Sequence, residues 1–233
     1  MQRRIRGEPL QYIVGHQEFW SIDLHVDPRV LIPRPETELL IEQVLVILSK
    51  APSKAPLRIL EIGTGSGAIA ISLTSELKNV FVVATDVSAE ALKLAKENAR
   101  GAGVHQRIAF VQGDLFAPFR PVGDKGGADM ILSNPPYVTR SEIEALSREV
   151  KNHEPLTALD GGEDGLDFYR RIIEQAPAYL SDPGWLLLEM GQGQGPSVSK
   201  LIRQRGAFRA PELVRDFAGI ERVVKAEKLK GRR

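Results

Sequence analysis

Asn134-Pro135-Pro136-Tyr137 joins an amide side chain, two residues that lack a backbone N–H and a flat aromatic ring. The prolines stiffen the backbone and leave bare carbonyl acceptors. Asn134 Oδ1 and the Pro135 carbonyl then make two acceptors for the two hydrogens of one planar –NH₂ group, and Tyr137 offers a face to its plane. The nitrogen of an amide or aromatic amine is a poor nucleophile because its lone pair is delocalised. Holding both of its hydrogens positions that nitrogen and favours the charge it gains as it attacks an electrophile. No strong general base is needed, because the alkylated nitrogen is itself acidic. Read only as structure, the motif is a proline-stiffened loop.

A second stretch, Glu61-Ile62-Gly63-Thr64-Gly65-Ser66-Gly67, is a glycine-rich loop of the kind that lets a backbone approach a ligand closely. Asp86 follows some twenty residues on, where a carboxylate can accept from both ribose hydroxyls of a nucleoside. Loop and acid together point to nucleoside binding, although a sharp strand-to-helix turn would use the same residues. The spacing is G-x-G-x-G rather than the dinucleotide G-x-G-x-x-G, and no Gly-Lys-Ser/Thr follows as in a phosphate loop.

These groups need strands and helices to hold them. Strands are expected at residues 58–62, 80–85, 108–112, 128–133 and 185–189, and helices at 36–49, 68–77, 89–102, 166–180 and 198–205. Such alternation builds a parallel sheet with helices on both faces. Two last strands, 208–216 and 221–226, turn at Ala218-Gly219 and add an antiparallel edge pair. Residues 19–27 alternate apolar and polar as a half-buried strand, part of a short β-hairpin segment ahead of the sheet. Residues 51–56 read as a linker. The expected division is 1–35, an N-terminal remnant with the hairpin, and 36–233, the main α/β domain. Both motifs then fall just beyond the carboxyl ends of strands, where open α/β sheets bind ligands.

The acidic-x-G-x-G-x-G pattern resembles the first motif of class I S-adenosylmethionine-dependent methyltransferases, which implies their Rossmann-like, seven-stranded sheet. The resemblance assigns the cofactor to Glu61, Gly63, Thr64, Gly65, Ser66 and Gly67, its ribose to Asp86, and its adenine to Asp114 and Leu115, with Asn134 beside it; S-adenosylhomocysteine is the product. Gly7-Glu8-Pro9, Ile32-Pro33-Arg34-Pro35-Glu36-Thr37-Glu38 and Gly161-Gly162-Glu163-Asp164-Gly165-Leu166, with Asn-Pro-Pro-Tyr between them, narrow the likeness. The chain resembles the peptide chain release factor N(5)-glutamine methyltransferases, the PrmC or HemK family. That resemblance implies methylation of the glutamine amide in the Gly-Gly-Gln loop of bacterial release factors, and so modulation of translation termination. Asn134, Pro135, Pro136 and Tyr137 would bind the substrate, and Asn134, Pro135 and Tyr137 would carry the catalysis. Alternatives in the same chemistry are a ribosomal-protein glutamine and an exocyclic amine of nucleic acid. Family members usually carry a helical domain before Gly-Glu-Pro, which begins here at Gly7, so docking of a protein substrate is the step this length puts in question.

The chain has 233 residues, net charge +1, 42% hydrophobic residues and no cysteine. That balance excludes global disorder, a disulfide scaffold, a thiolate metal site and a cysteine nucleophile. No apolar run is long enough to span a membrane, and no apolar core follows the basic N-terminus, so a cytoplasmic protein, expected as a monomer, is the default. Near-neutral charge argues against direct nucleic-acid binding. The four histidines lack metal spacing, and no metal is expected. Phe19 or Trp20, with Arg34, either wall the pocket or serve packing and capping. Glu163 and Asp164 are expected to cap the helix at Leu166, and Glu189 faces either the site or a neighbouring backbone. The basic residues at both ends are expected to be solvated.

Overall fold

The computed structural model describes residues 2–50, 56–122 and 126–230. Its main sheet has seven strands: β3 (Leu57–Ile62), β4 (Val80–Asp86), β5 (Ile108–Gln112), β6 (Ala128–Ser133), β7 (Leu180–Glu189), β8 (Glu212–Arg215) and β9 (Glu221–Glu227). They lie in the order β5-β4-β3-β6-β7-β9-β8. The first five are parallel, while β9 runs antiparallel to both β7 and β8. This is the mostly parallel α/β sheet with an antiparallel edge that the pattern predicts. The chain leaves β3 toward β4 on one side and later returns to β6 on the other, so the switch point lies between β3 and β6.

Both faces of the sheet are covered, which is why its strands read as nearly continuous apolar runs. Along β3, Leu57 and Ile59 join a core made with α3 (Glu38–Lys50), α4 (Ala68–Glu76) and α5 (Ala89–Gly101). Leu60 and Ile62 point to the other face, against Tyr169, Ile172 and Ile173 of α8 (Asp167–Gln175) and Val198 and Ile202 of α9 (Gly195–Arg205). A sharp start sets α5, where Ser88 accepts from Ala91 N.

The differences from the sequence reading are local. The alternating run at 19–27 is two strands, β1 (His16–Phe19) and β2 (Ile22–His25), paired antiparallel. The turn between them uses Trp20 and Ser21 at φ of 51° and 58°, as a two-residue hairpin turn demands, without the glycine that would signal it. Glu38 Oε1 accepts from Trp20 N at 2.8 Å and holds this turn against α3. The helix expected to reach 180 ends at Gln175, passes through one 3₁₀ turn and gives way to β7 at Leu180. Four short helices carry too few apolar positions to show a period: α1 (Gln2–Ile5), α2 (Leu10–Val14), α6 (Arg140–Ala145) and α7 (Arg148–His153). The linker at 51–56 lies outside the described residues except for Pro56. The C-terminal lysines are not solvated tails throughout: Lys225 is buried in β9, where its ammonium donates to Gln43 Oε1 at 3.0 Å. No helix among the described residues is long and apolar enough to cross a membrane.

Candidate active site

A cleft of about 380 Å³ opens at the carboxyl ends of β3, β4 and β6. Its floor is the loop after β3. Gly65 has φ of +54° and open space where a side chain would stand, so the loop presents bare backbone to the cleft. Its N–H donates to Asp86 Oδ2 at 2.9 Å, and Ser88 N donates to Asp86 Oδ1 at the same distance. Asp86 therefore ties the glycine loop to the end of β4 and still has lone pairs to offer. Its burial raises its carboxyl above the usual range despite these bonds. Ser133 Oγ donates to the Ile62 carbonyl at 2.8 Å, fixing the end of β6 beside the same loop.

Glu61 lies under the loop and is fully buried. Its Oε2 accepts from Thr64 Oγ1 at 2.8 Å, while Oε1 has no partner among the described residues. Burial, with the nearby Asp86 adding to it, pushes the carboxyl up to about 8. A carboxylate kept partly neutral and half unsatisfied at the cleft is suited to meet a cationic or donating group.

The cleft brings together Glu61, Gly63, Thr64, Gly65, Ser66, Asp86, Asp114, Leu115, Asn134, Pro135 and Pro136. Two expected residues do not line it. Gly67 turns inward, where an added Cβ would stand 2.9 Å from Ile71 and 3.2 Å from Ala95, so its lack of a side chain lets α4 and α5 pack closely. Tyr137 stands outside the lining, its ring so close to the backbone of Gly191 that an added Cβ there would stand 3.0 Å from Tyr137 Cδ2. Asp114 pairs through Oδ2 with Arg171 at 2.5 Å, which leaves Oδ1 without a partner among the described residues. Leu115 takes φ of +50°, a left-handed backbone no sequence signal announces.

Among the described residues, nothing donates to Asn134 Oδ1 or to the Pro135 carbonyl. Asn134 Nδ2 is used: it donates to Thr37 Oγ1 at 3.1 Å. Arg34 lines the cleft, and its Nη2 donates to Glu154 Oε1 at 2.5 Å. Glu154 is buried and also accepts from Ile32 N at 3.2 Å, so it clamps residues 32–34 over the site. Phe19 is a core residue, Trp20 is partly buried against the same core with its Nε1 donating to Glu76 Oε2 at 3.3 Å, and neither lines the cleft. Neither acid caps α8: its N-cap residue is Leu166 and no side chain caps it; Asp164 accepts from Leu166 N at 3.2 Å in the turn before the helix and pairs with Arg170, and Glu163 pairs with Arg140 at the surface.

The glycine run before α8 shapes the motif from behind. A Cβ at Gly161 would stand 2.7 Å from Tyr137 Cα, and one at Gly165 would stand 2.4 Å from the Tyr137 carbonyl oxygen. Gln194 completes the bracket: its Nε2 donates to the Tyr137 and Gly165 carbonyls at 3.0 and 3.2 Å, and its Oε1 accepts from Gly191 N at 2.9 Å. Sequence reasoning missed Thr37, Glu154 and Gln194, because each acts through a partner far away in the chain. The one legible hint was Thr37, which stands inside the Pro-Arg-Pro-Glu-Thr-Glu run.

The family model for the methyltransferase small domain matches residues 37–153. The release factor glutamine methyltransferase of Bacillus cereus is 42% identical over 227 residues, which cover 97% of this chain and 79% of that one. That of Thermodesulfovibrio yellowstonii is 45% identical over 230 residues, covering 99% and 80%. A methyltransferase from Pyrococcus furiosus superposes with a TM-score of 0.64 at 18% identity, covering 97% of this chain and 98% of that one. The N-terminal domain of human METTL16, solved in complex with SAH, gives 0.64 at 18% identity, covering 89% and 76%. At these identities the solved structures speak for the fold.

Proposed function

The chain belongs to the family of release factor glutamine methyltransferases, and from that premise we propose that it methylates the side-chain amide nitrogen of the glutamine in the Gly-Gly-Gln loop of peptide chain release factors. The observation that carries this reading is the pair of unengaged acceptors, Asn134 Oδ1 and the Pro135 carbonyl, beside the cleft at the β3–β6 switch point. The two N–H groups of a primary amide match them.

The residues present fit S-adenosylmethionine. Glu61 offers a buried, unpartnered oxygen, the loop at Gly63 and Gly65 has open space above its backbone, and Asp86 keeps acceptor capacity toward a ribose. The cofactor, when bound, supplies an electrophilic methyl group on a sulfonium sulfur. Thr64, Ser66 and the loop backbone would hold its amino-acid end, and Asp114 Oδ1, free of Arg171, would meet the adenine amino group above Leu115.

The chain's own contribution is positioning and electrostatics. Asn134 and Pro135 accept the two amide hydrogens, hold the nitrogen toward the cleft and stabilise its developing charge. Pro136 stiffens the loop. Tyr137 stands outside the cleft lining, and we assign it to supporting that loop. Arg34, held by Glu154, forms the wall where the substrate loop enters.

The experiment is incubation with tritiated S-adenosylmethionine and, in parallel, purified release factor, a ribosomal-protein substrate, tRNA, rRNA and DNA. One methyl on the glutamine of the Gly-Gly-Gln peptide, located by mass spectrometry, is the expected result. Label confined to nucleic acid or to the ribosomal protein overturns the reading.

A further inference from the structure

Two large apolar side chains stand in water at the cleft's end of the sheet. Phe217, in the turn between β8 and β9, is fully exposed, and Leu156, in the 3₁₀ turn Leu156–Ala158, is 53% exposed. An exposed apolar residue by itself means little. These two are set apart by where the fold holds them. β9 runs antiparallel to β7, with Val223 opposite Glu189 at the carboxyl end of β7, so the β8–β9 turn stands at the same end of the sheet as the cleft. Leu156 stands between Pro155 and Thr157, both of which line the cleft.

Ion pairs tie both turns to one strip of chain. Pro33, Arg34 and Thr37 line the cleft. Arg34 pairs with Glu154, two residues before Leu156. Glu36 lies 4.0 Å from Arg222, whose Nε donates to Asp216 Oδ2 at 3.0 Å, one residue before Phe217. The strip 33–37 is thus bridged at one point to the turn that carries Leu156 and at another to the turn that carries Phe217. Both turns are stiff. Asp216 Oδ1 accepts from Ala218 N and Ile220 N, each at 2.9 Å, and Arg215 Nη1 donates to the Gly219 carbonyl at 2.7 Å. Ala158 N donates to the Pro155 carbonyl and Asp160 N to the Leu156 carbonyl, both at 2.9 Å. Little further ordering is needed before either side chain is covered by a partner.

We propose that Phe217 and Leu156 are the apolar anchors of a docking surface for the release factor, and that they take apolar side chains of that protein flanking its Gly-Gly-Gln loop. This rests on the reading that the substrate is a release factor, and deepens it. A specific protein contact covers about 800 Å² on each partner. The mouth of a cleft of about 380 Å³ supplies only a small part of that. A folded substrate that lowers one glutamine into the cleft must therefore rest on the surface around its mouth. The strip 33–37 lies there, with the two exposed side chains on the turns it is bridged to. Apolar side chains that lose their water carry most of the energy of such a contact. The exposed ion pairs between them add little.

The test sets two variants against a control at the far end of the sheet. Phe217→Ser and Leu156→Ser each shorten a side chain that already faces water, so urea midpoints should stay close to wild type. Each should raise KM for intact release factor about ten-fold, and the double variant should raise it further. Meanwhile kcat, and affinity for S-adenosylhomocysteine by calorimetry, should stay within two-fold of wild type. Phe217→Leu should recover most of the loss. Leu229 is also exposed but lies just past β9, at the opposite end of the sheet, and Leu229→Ser should leave KM unchanged. A KM within two-fold of wild type in either single variant, a loss carried by kcat rather than KM, or an equal loss in Leu229→Ser overturns the inference. A wild-type chain that labels no release factor defeats the functional reading, and the docking surface falls with it. A wild-type chain that labels release factor, beside variants that keep its KM, leaves that reading standing and removes the docking surface alone.

Discussion

Gly65 N donates to Asp86 Oδ2 at 2.9 Å, so the glycine loop after β3 is tied down by the acid that ends β4. One carboxylate thus shapes the loop and faces the cleft. Asp86→Ala should weaken S-adenosylmethionine binding by about 1–3 kcal/mol, the range for charge-assisted hydrogen bonds. Asp86→Asn can still accept from Gly65 N and should lose less. Titration calorimetry measures both, and equal affinity for wild type and Asp86→Ala would reject the ribose assignment.

Glu61 gives the free protein a pH-dependent weakness. Its folded-state carboxyl is raised to about 8, above the ordinary value of 4.5. Between those values the folded protein holds a proton that the unfolded chain has released, so this group's contribution to stability falls as pH rises from about 4.5 to 8. Urea midpoints at pH 5 and pH 8 should separate less in Glu61→Gln than in wild type. A cationic cofactor favours the ionised form, so binding near pH 7 should release a proton, visible as a dependence of the binding heat on the buffer's ionisation enthalpy. The same dependence in Glu61→Gln as in wild type would exclude Glu61 as the source.

Asn134 Oδ1, the oxygen we assign to the substrate amide, accepts from no donor among the described residues. Asn134→Ala should leave cofactor affinity nearly intact while kcat falls about 10²–10³-fold, as when one preorganised polar contact is removed from an active site. The comparison of binding and rate in one preparation separates this from unfolding. A rate close to wild type would remove Asn134 from the chemistry.

The sheet and the cleft were legible because both are written in contiguous residues. Strand runs such as 108–112 and 128–133 stand in the structure with the bounds their apolar stretches predict. The glycine loop, Asp86 and Asn-Pro-Pro-Tyr each follow a strand directly, so the topology alone gathers them. What stayed hidden depends on partners distant in sequence. Glu154 meets Ile32 and Arg34 across some 120 positions, and Gln194 meets Tyr137 across 57. Tyr137 shows the same limit, because nothing local in the sequence announces that its ring packs beside Gly191, more than fifty positions away.

The Arg34–Glu154 clamp can be opened without touching the cofactor loop. Glu154 is buried, but Arg34 is about one-third exposed, so solvent screens the pair and its removal is not worth a fully buried bridge. Glu154→Ala also strips Ile32 N of its acceptor, and should cost about 1–3 kcal/mol in urea unfolding. Its effect on methylation should appear in KM for release factor rather than in cofactor affinity. An unchanged KM would mean that residues 32–34 do not guide the substrate.

Gly165 offers the most direct test of how the motif is held. Its φ is +71°, and an added Cβ would lie 2.4 Å from the Tyr137 carbonyl oxygen and 2.7 Å from Gln194 Nε2. Gly165→Ala therefore meets two penalties, about 1–2 kcal/mol for a left-handed backbone and about 1–3 kcal/mol for overpacking. Relief of the clash must push Tyr137 away from Gln194, and Tyr137 carries Pro136, Pro135 and Asn134 with it. Activity should thus fall further than stability predicts, with cofactor affinity largely retained because the Gly63–Gly67 loop and Asp86 follow from β3 and β4, away from the bracket. A variant that keeps the wild-type kcat would show that the Asn-Pro-Pro-Tyr loop holds its shape without the glycine bracket behind it.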